Sequence, residues 1–267
     1  MAFIKLILVI CLLYGGLVLY AYLTQREMIY FPDPRPTKPV DAGVPEMEIV
    51  SFKTRDNLSL SAWYAPPKSS SLPTIIYFHG NAGNIADRAP LMKPYLDQGF
   101  GVLLTTYRGY SGNAGIPTEY GLYNDARGAV EFILREQTSP CIFLMGNSIG
   151  SAVAIQIATE PDYPIKGLIL QSPFTSLVDI GKHHYWYLPV ASLAKDKYDS
   201  FSKTDRIKVP TLIIQGLTDT ISPPEYGRRL FQALPHPKEI EEIPGKGHNT
   251  LFEPELVIQF VNKYSCR

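Results

Sequence analysis

Between residues 74 and 243 the chain returns repeatedly to short runs that are apolar on both parities. Residues 74–78, 100–107, 141–145, 165–171 and 211–215 are mainly Ile, Leu, Val, Phe, Tyr, Met and Thr, without apolar/polar alternation. A strand with two apolar faces must be covered on both sides, as in a parallel sheet beneath two helical layers. A weaker run, 239–243, closes the series. Two more, 47–52 and 58–64, flank Arg55-Asp56-Asn57 and read as an opening hairpin. Amphipathic stretches lie between the runs. In 119–135, Leu122, Ala126, Ala129, Val130 and Ile133 share one face. In 255–264, Leu256, Val257, Phe260, Val261 and Tyr264 do the same, with Pro254 in the first turn. Strand–helix alternation after a hairpin predicts an α/β fold, with crossover helices on both faces and the chemistry at the carboxyl ends of the strands. The 267 residues suffice for a full core. The 25 basic and 25 acidic side chains cancel, which excludes the basic excess of a nucleic-acid binder. Apolar residues at 45% and aromatics at 12% exclude a disordered chain. Cys11, Cys141 and Cys266 lack metal-ligand spacing, and no disulfide framework can be read from them. No metal or cofactor is expected.

Residues 6–23 are 18 in a row without a charge, preceded by Lys5. As a helix, residues 2–23 reach about 33 Å, against a bilayer hydrocarbon core of ~30 Å. Lys5 can snorkel to the headgroups, and Tyr20 and Tyr22 suit the far interface. A cleaved signal peptide competes with this reading, but its apolar region is only ~7–15 residues long and ends at a small-residue site. Here Ala21-Tyr22-Leu23 ends on leucine. A buried core helix is the remaining alternative. Prolines at 32, 34, 36, 39 and 45 make 31–45 a stiff extended spacer. The expected organisation is therefore a single-pass anchor at 1–24, a proline-rich spacer at 25–45 and a folded domain at 46–267. Lys5 stands on the N side of the apolar run, and Arg26, Arg35 and Lys38 on the C side. That count favours a cytoplasmic C-terminal domain by a small margin and leaves the side open.

Gly146-Asn147-Ser148-Ile149-Gly150 is a G-x-S-x-G pattern between the 141–145 strand and the small apolar helix beginning Ser151-Ala152-Val153. Strand, sharp turn and helix are the setting of a nucleophile elbow, and the helix aims its N-terminal amides at a developing oxyanion. Ser148 is the expected nucleophile. A bare serine needs a base, itself oriented by an acid. Of five histidines, His248 lies in a glycine-rich loop after the last strand, at the catalytic end. His183, His184 and His236 read as surface or packing residues, and His79 belongs to a loop whose backbone matters more. Asp219 stands four residues beyond the 211–215 strand. Asp125 falls within a helix and Asp205 before a strand, at the wrong end. The order Ser148, Asp219, His248 is that of α/β hydrolases. The oxyanion donors should be the amides of Ile149 and of Asn81 in His79-Gly80-Asn81-Ala82-Gly83-Asn84, with Ala82 as the alternative to Asn81.

These motifs, with Tyr107-Arg108-Gly109-Tyr110-Ser111-Gly112 and Ser172-Pro173-Phe174-Thr175-Ser176, resemble the membrane-anchored serine-hydrolase branch of the α/β hydrolase superfamily. Its relatives include depalmitoylases and serine-aminopeptidase-like domains. The resemblance covers about residues 20–264 and implies an eight-stranded, mostly parallel sheet and the Ser148–His248–Asp219 triad. A spanning helix replaces the Cys-rich segment of the depalmitoylases. Haloalkane dehalogenases share a similar His-Gly-Asn loop but carry Asp where this chain has Ser148. Residues 177–208 occupy the place of a short cap, and their aromatic cluster, His183 to Pro189, suits an apolar pocket, a membrane surface or simple packing. Arg108, Tyr110 and Ser111 read as loop braces. The expected activity is hydrolysis of an ester or thioester of a small acyl substrate at a membrane. Amide or peptide hydrolysis by the same triad, acyl transfer to another acceptor, and a non-catalytic hydrolase-fold binding protein are the competing readings.

Overall fold

The computed structural model describes residues 1–136, 138 and 141–266. Gln137, Ser139, Pro140 and Arg267, all within the expected 46–267 domain, lie outside the described residues. The strands are β1 (Phe31–Pro32), β2 (Glu48–Lys53), β3 (Ser59–Ala65), β4 (Thr74–Phe78), β5 (Ala82–Gly83), β6 (Gly101–Leu104), β7 (Ile142–Asn147), β8 (Ile165–Gln171), β9 (Thr211–Gly216) and β10 (Lys238–Ile243). The helices are α1 (Ala2–Ile29), α2 (Ala89–Asp97), α3 (Glu119–Glu136), α4 (Ile149–Ala158), α5 (Leu177–His184), α6 (Val190–Leu193), α7 (Pro224–Ala233) and α8 (Pro254–Tyr264).

Eight strands form one sheet in the order β10-β9-β8-β7-β4-β6-β3-β2. The β2–β3 hairpin is antiparallel and joins β6 antiparallel; every other neighbour pair is parallel. Along β4, Ile76 and Phe78 join the core beneath α3, α4 and α7, whereas Ile75 and Tyr77 join the core beneath α2 and α8. Alternate residues thus feed opposite layers, which is why the run is apolar on both parities. The chain has the α/β hydrolase fold.

The expected 100–107 strand stops at Leu104. Asp125 on α3 accepts from the Arg108 amide at 2.9 Å and from its guanidinium at 2.9 and 2.6 Å, and this draws the chain away from the ladder. Two crossover helices, α2 and α7, were not anticipated, because each opens on a proline-bearing turn. Pro90 and Pro224 sit in the first turn, where the missing N–H has no intrahelical partner to lose. The expected spacer lies on the domain. β1 pairs in parallel with β5, and Pro39 and Val44 are buried. Cys141 and Cys266, unassigned from the sequence, form a disulfide with Cα atoms 5.8 Å apart. They are 125 residues apart, and spacing alone carries no pairing information at that range. Cys11 is free and exposed on α1.

Candidate active site

At the end of β7 the chain reverses into α4 through Ser148, whose φ of 54° and ψ of −119° lie in a region that side chains avoid. The reversal is possible because two close approaches exclude a Cβ. A methyl on Gly146 would lie 2.3 Å from the Gly150 carbonyl oxygen, and one on Gly150 would lie 2.0 Å from that of Phe78. The Ser148 amide donates to the Gln171 carbonyl at 2.9 Å, tying the turn to β8.

Ser148 Oγ is 3.0 Å from His248 Nε2, and His248 Nδ1 is 2.8 Å from Asp219 Oδ2. Asp219 Oδ1 accepts from the amides of Ile221 (2.9 Å) and Ser222 (2.8 Å), which fixes the carboxylate plane. Burial opposes ionisation of Asp219. The hydrogen bond and charge of His248, with the Ser222 amide, nevertheless hold its carboxyl below the ordinary carboxylate range. An ionised carboxylate only accepts, so the ring proton belongs on Nδ1. Nε2 is left as acceptor for the Ser148 hydroxyl.

The loop after β4 presses on this turn: a methyl on Gly80 would lie 3.6 Å from Ser148 Cβ. Asn81 is held from three directions. Its carbonyl accepts from the Phe31 amide (2.9 Å) and the Tyr110 hydroxyl (2.7 Å), and its side-chain amide donates to the Ile29 carbonyl (2.6 Å). Neither the Asn81 nor the Ile149 backbone N–H has a hydrogen-bond acceptor among the described residues. Ala82, the alternative donor, stands opposite Phe31 in the β1–β5 register, where the Phe31 and Asp33 amides donate to the carbonyls of Asn81 and Gly83. Ser111 Oγ accepts from the Ile85 amide, and Arg108 links Asp125 to Asp56, so these residues brace the loops beside the site.

The other histidines and acids lie apart from this constellation. His79 is buried, with Nδ1 2.6 Å from the Gly80 carbonyl and its ring against Tyr107. His184 borders the cavity described next, with Nε2 3.1 Å from the Ile221 carbonyl. His183, His236 and Asp205 are exposed, and Asp125 is the buried partner of Arg108.

A cavity of about 270 Å³ opens over Ser148 and His248. Phe174 and the cap residues Leu177, Ile180, Leu188, Val190 and Leu193 line it, together with Ala21, Gln25, Met28 and Ile29 of α1. The sequence reading missed this contribution from α1. Its signal was the switch from apolar residues to Gln25 and Arg26 while the helix continues to Ile29. Of the cap aromatics, Tyr185 borders the cavity, and Trp186 is 81% exposed at the outer tip.

The Hydrolase_4 family, described as serine aminopeptidase, S33, matches residues 70–202 and 191–255. The chain belongs to this family. It is 37% identical over 257 residues to the uncharacterized protein Rv2307c of Mycobacterium tuberculosis, an alignment that spans 95% of this chain and 90% of that one. Lysophosphatidylserine lipase ABHD12 of Danio rerio is 30% identical over 210 residues, 72% of this chain and 54% of the fish protein. Among solved structures, the esterase Pf2001 of Pyrococcus furiosus superposes with a TM-score of 0.73 at 22% identity, covering 88% of this chain and 99% of the esterase. That likeness establishes the shared fold.

Proposed function

We propose that the protein is a membrane-anchored serine hydrolase that cleaves an ester or thioester of an apolar acyl group. The observation that carries the reading is the Ser148–His248–Asp219 alignment at the floor of an apolar cavity. Ser148 Oγ attacks the acyl carbonyl while its proton passes to His248 Nε2, and Asp219 stabilises the imidazolium. The amides of Ile149 and Asn81 receive the oxyanion. Collapse expels the alcohol or thiol, which takes the proton from His248. Water, deprotonated by the same nitrogen, then attacks the acyl-enzyme, releasing the acid and restoring Ser148.

The cavity lining favours an acyl ester over a peptide. Aminopeptidase action needs a free carboxylate near the nucleophile to hold the substrate ammonium. Among the described residues Asp196 is the sole carboxylate in the lining, and Arg26 and Tyr30 already bind it. The name of the fish relative, a lysophosphatidylserine lipase, points the same way. α1 is long and apolar enough to serve as the anchor. The Cys141–Cys266 disulfide supports an oxidising compartment for the folded domain, outweighing the narrow margin of basic residues.

The test is labelling of the detergent-solubilised protein with a fluorophosphonate, which phosphonylates an activated serine with loss of fluoride. Wild type should label and Ser148→Ala should not, and the substitution should lower ester turnover by about 10⁶. Failure of folded wild type to label would favour the non-catalytic binding reading.

A further inference from the structure

Tyr14, Val18, Ala21, Gln25 and Met28 recur at intervals of three and four, so they form one stripe along α1. This stripe meets the cap. The Tyr14 hydroxyl donates to the Tyr187 carbonyl at 2.8 Å. The Gln25 side chain donates to the Leu193 carbonyl at 3.2 Å and accepts from the Lys195 amide at 2.7 Å. Next to it Arg26 makes a two-point contact with Asp196, at 2.9 and 3.3 Å. Between these fixed points, Ala21, Gln25, Met28 and Ile29 form one wall of the cavity that ends at Ser148.

The lengths agree with such a placement. α1 has 28 residues, hence about 42 Å, against ~30 Å of hydrocarbon. The surplus of about 12 Å corresponds to the last eight residues of the helix, which together with Ala21 just before them supply its cavity-lining side chains. The cap tip lies beside Tyr14, about 10 Å down the helix from Ala21. There Trp186 and Tyr187 are exposed, and on this register their rings enter the hydrocarbon below the interface at Tyr20 and Tyr22.

We infer that the α1 face carrying Ala21, Gln25, Met28 and Ile29 is the specificity wall of the acyl pocket, and that the substrate is a bilayer-resident ester whose acyl chain reaches Ser148 laterally, between α1 and the cap. The inference rests on the serine-hydrolase reading above. An acyl chain moving from lipid into an apolar cavity exchanges one apolar surrounding for another, so burial alone discriminates little between chain lengths. Shape has to do it, and Ala21 is the small residue that leaves room.

Full-length protein in phosphatidylcholine vesicles tests this against 4-nitrophenyl esters from butyrate to palmitate. Ala21→Trp should lower the ratio of long-chain to short-chain kcat/KM at least tenfold. Leu23→Trp, on the exposed face of the same turn, should leave the ratio at the wild-type value. Equal ratios in all three proteins, or equal shifts in both variants, would overturn the inference. A second readout is independent of turnover. An alkyl fluorophosphonate with a terminal diazirine, bonded to Ser148 in vesicles and irradiated, should cross-link to residues 18–29. An adduct on Ser148 with cross-links only elsewhere overturns this inference and leaves the hydrolase reading standing. Absence of any Ser148 adduct removes both.

Discussion

Ser148 keeps its strained backbone because its neighbours leave no alternative path, and the glycines at 146 and 150 carry that constraint. Gly150→Ala places a methyl against the Phe78 carbonyl, a backbone atom that cannot swing aside. The substitution should cost about 3 kcal/mol or more and remove labelling of Ser148, as read from thermal melts beside the probe assay. Asp219→Asn tests another property of the site. The two amides of Ile221 and Ser222 can still hold the side chain, but its NH₂ would face His248 and reverse the ring tautomer. Turnover should fall by about 10⁴ while the melting temperature stays close to wild type. His79 governs a pH effect on stability. Burial keeps its ring neutral and lowers its pKa from the ordinary 6.5 to about 3, despite the bond to Gly80. As pH falls through about 6.5 the unfolded chain binds a proton that the folded chain refuses, so stability is full above that value and is lost below it. The slope is at most ~1.4 kcal/mol per pH unit until pH reaches the folded value. Urea titrations between about pH 6.5 and 5 should show a shallower slope in His79→Gln, and an unchanged slope would count against this account. That Ser148, Asp219 and His248 lie together at one end of the sheet was legible in the sequence because each follows a recognisable strand. The burial of His79 and its pH consequence were not, since its surroundings come from the distant Tyr107 and Tyr110.

At the level of elements, the consequential contact joins the end of α1 to the loop after β4. The Ile29 carbonyl is the last turn's unsatisfied acceptor, and the Asn81 side chain caps it. β1 then locks the same loop through the Phe31 amide. Asn81→Ala leaves the backbone amide in place but frees the loop. On the proposed role of the Asn81 amide as an oxyanion donor, it should reduce kcat about 10–100-fold with a smaller change in KM, because displacing such a donor acts on the transition state. A rise in KM at constant kcat would show instead that Asn81 serves ground-state binding. Apolar periodicity made the main strands, α3 and α8 legible, since each buries its own repeating face. It failed for α2, where Pro90 and Pro94 disguise a helix whose Met92, Tyr95 and Leu96 fill the core. It also overran at β6, because the Arg108–Asp125 contact that ends the strand is a pairing between elements.

Across the whole molecule, the disulfide ties the C-terminal end, beyond α8, to the start of β7 at the base of the sheet. Closing a loop of this size restricts the unfolded chain, and Cys266→Ser should cost about 2–4 kcal/mol. That corresponds to a fall of roughly 10 °C in melting temperature for a domain of this length. Alkylation in intact cells followed by non-reducing electrophoresis should show wild-type Cys141 and Cys266 protected from the reagent. Two free thiols would instead place the folded domain in a reducing compartment. The sequence by itself determined the eight-strand pattern, the elbow around Ser148, the order of Asp219 and His248, and the apolar N-terminal helix. Each is written in spacing within a few turns or one strand, where steric preference and burial of a single face suffice. Only the tertiary structure decided that α1 continues into the cavity wall, that Ile29 and Phe31 hold Asn81, and that Cys141 meets Cys266. These contacts join residues from 50 to 173 positions apart. At such separations no local periodicity records the partner, and packing alone brings the two together.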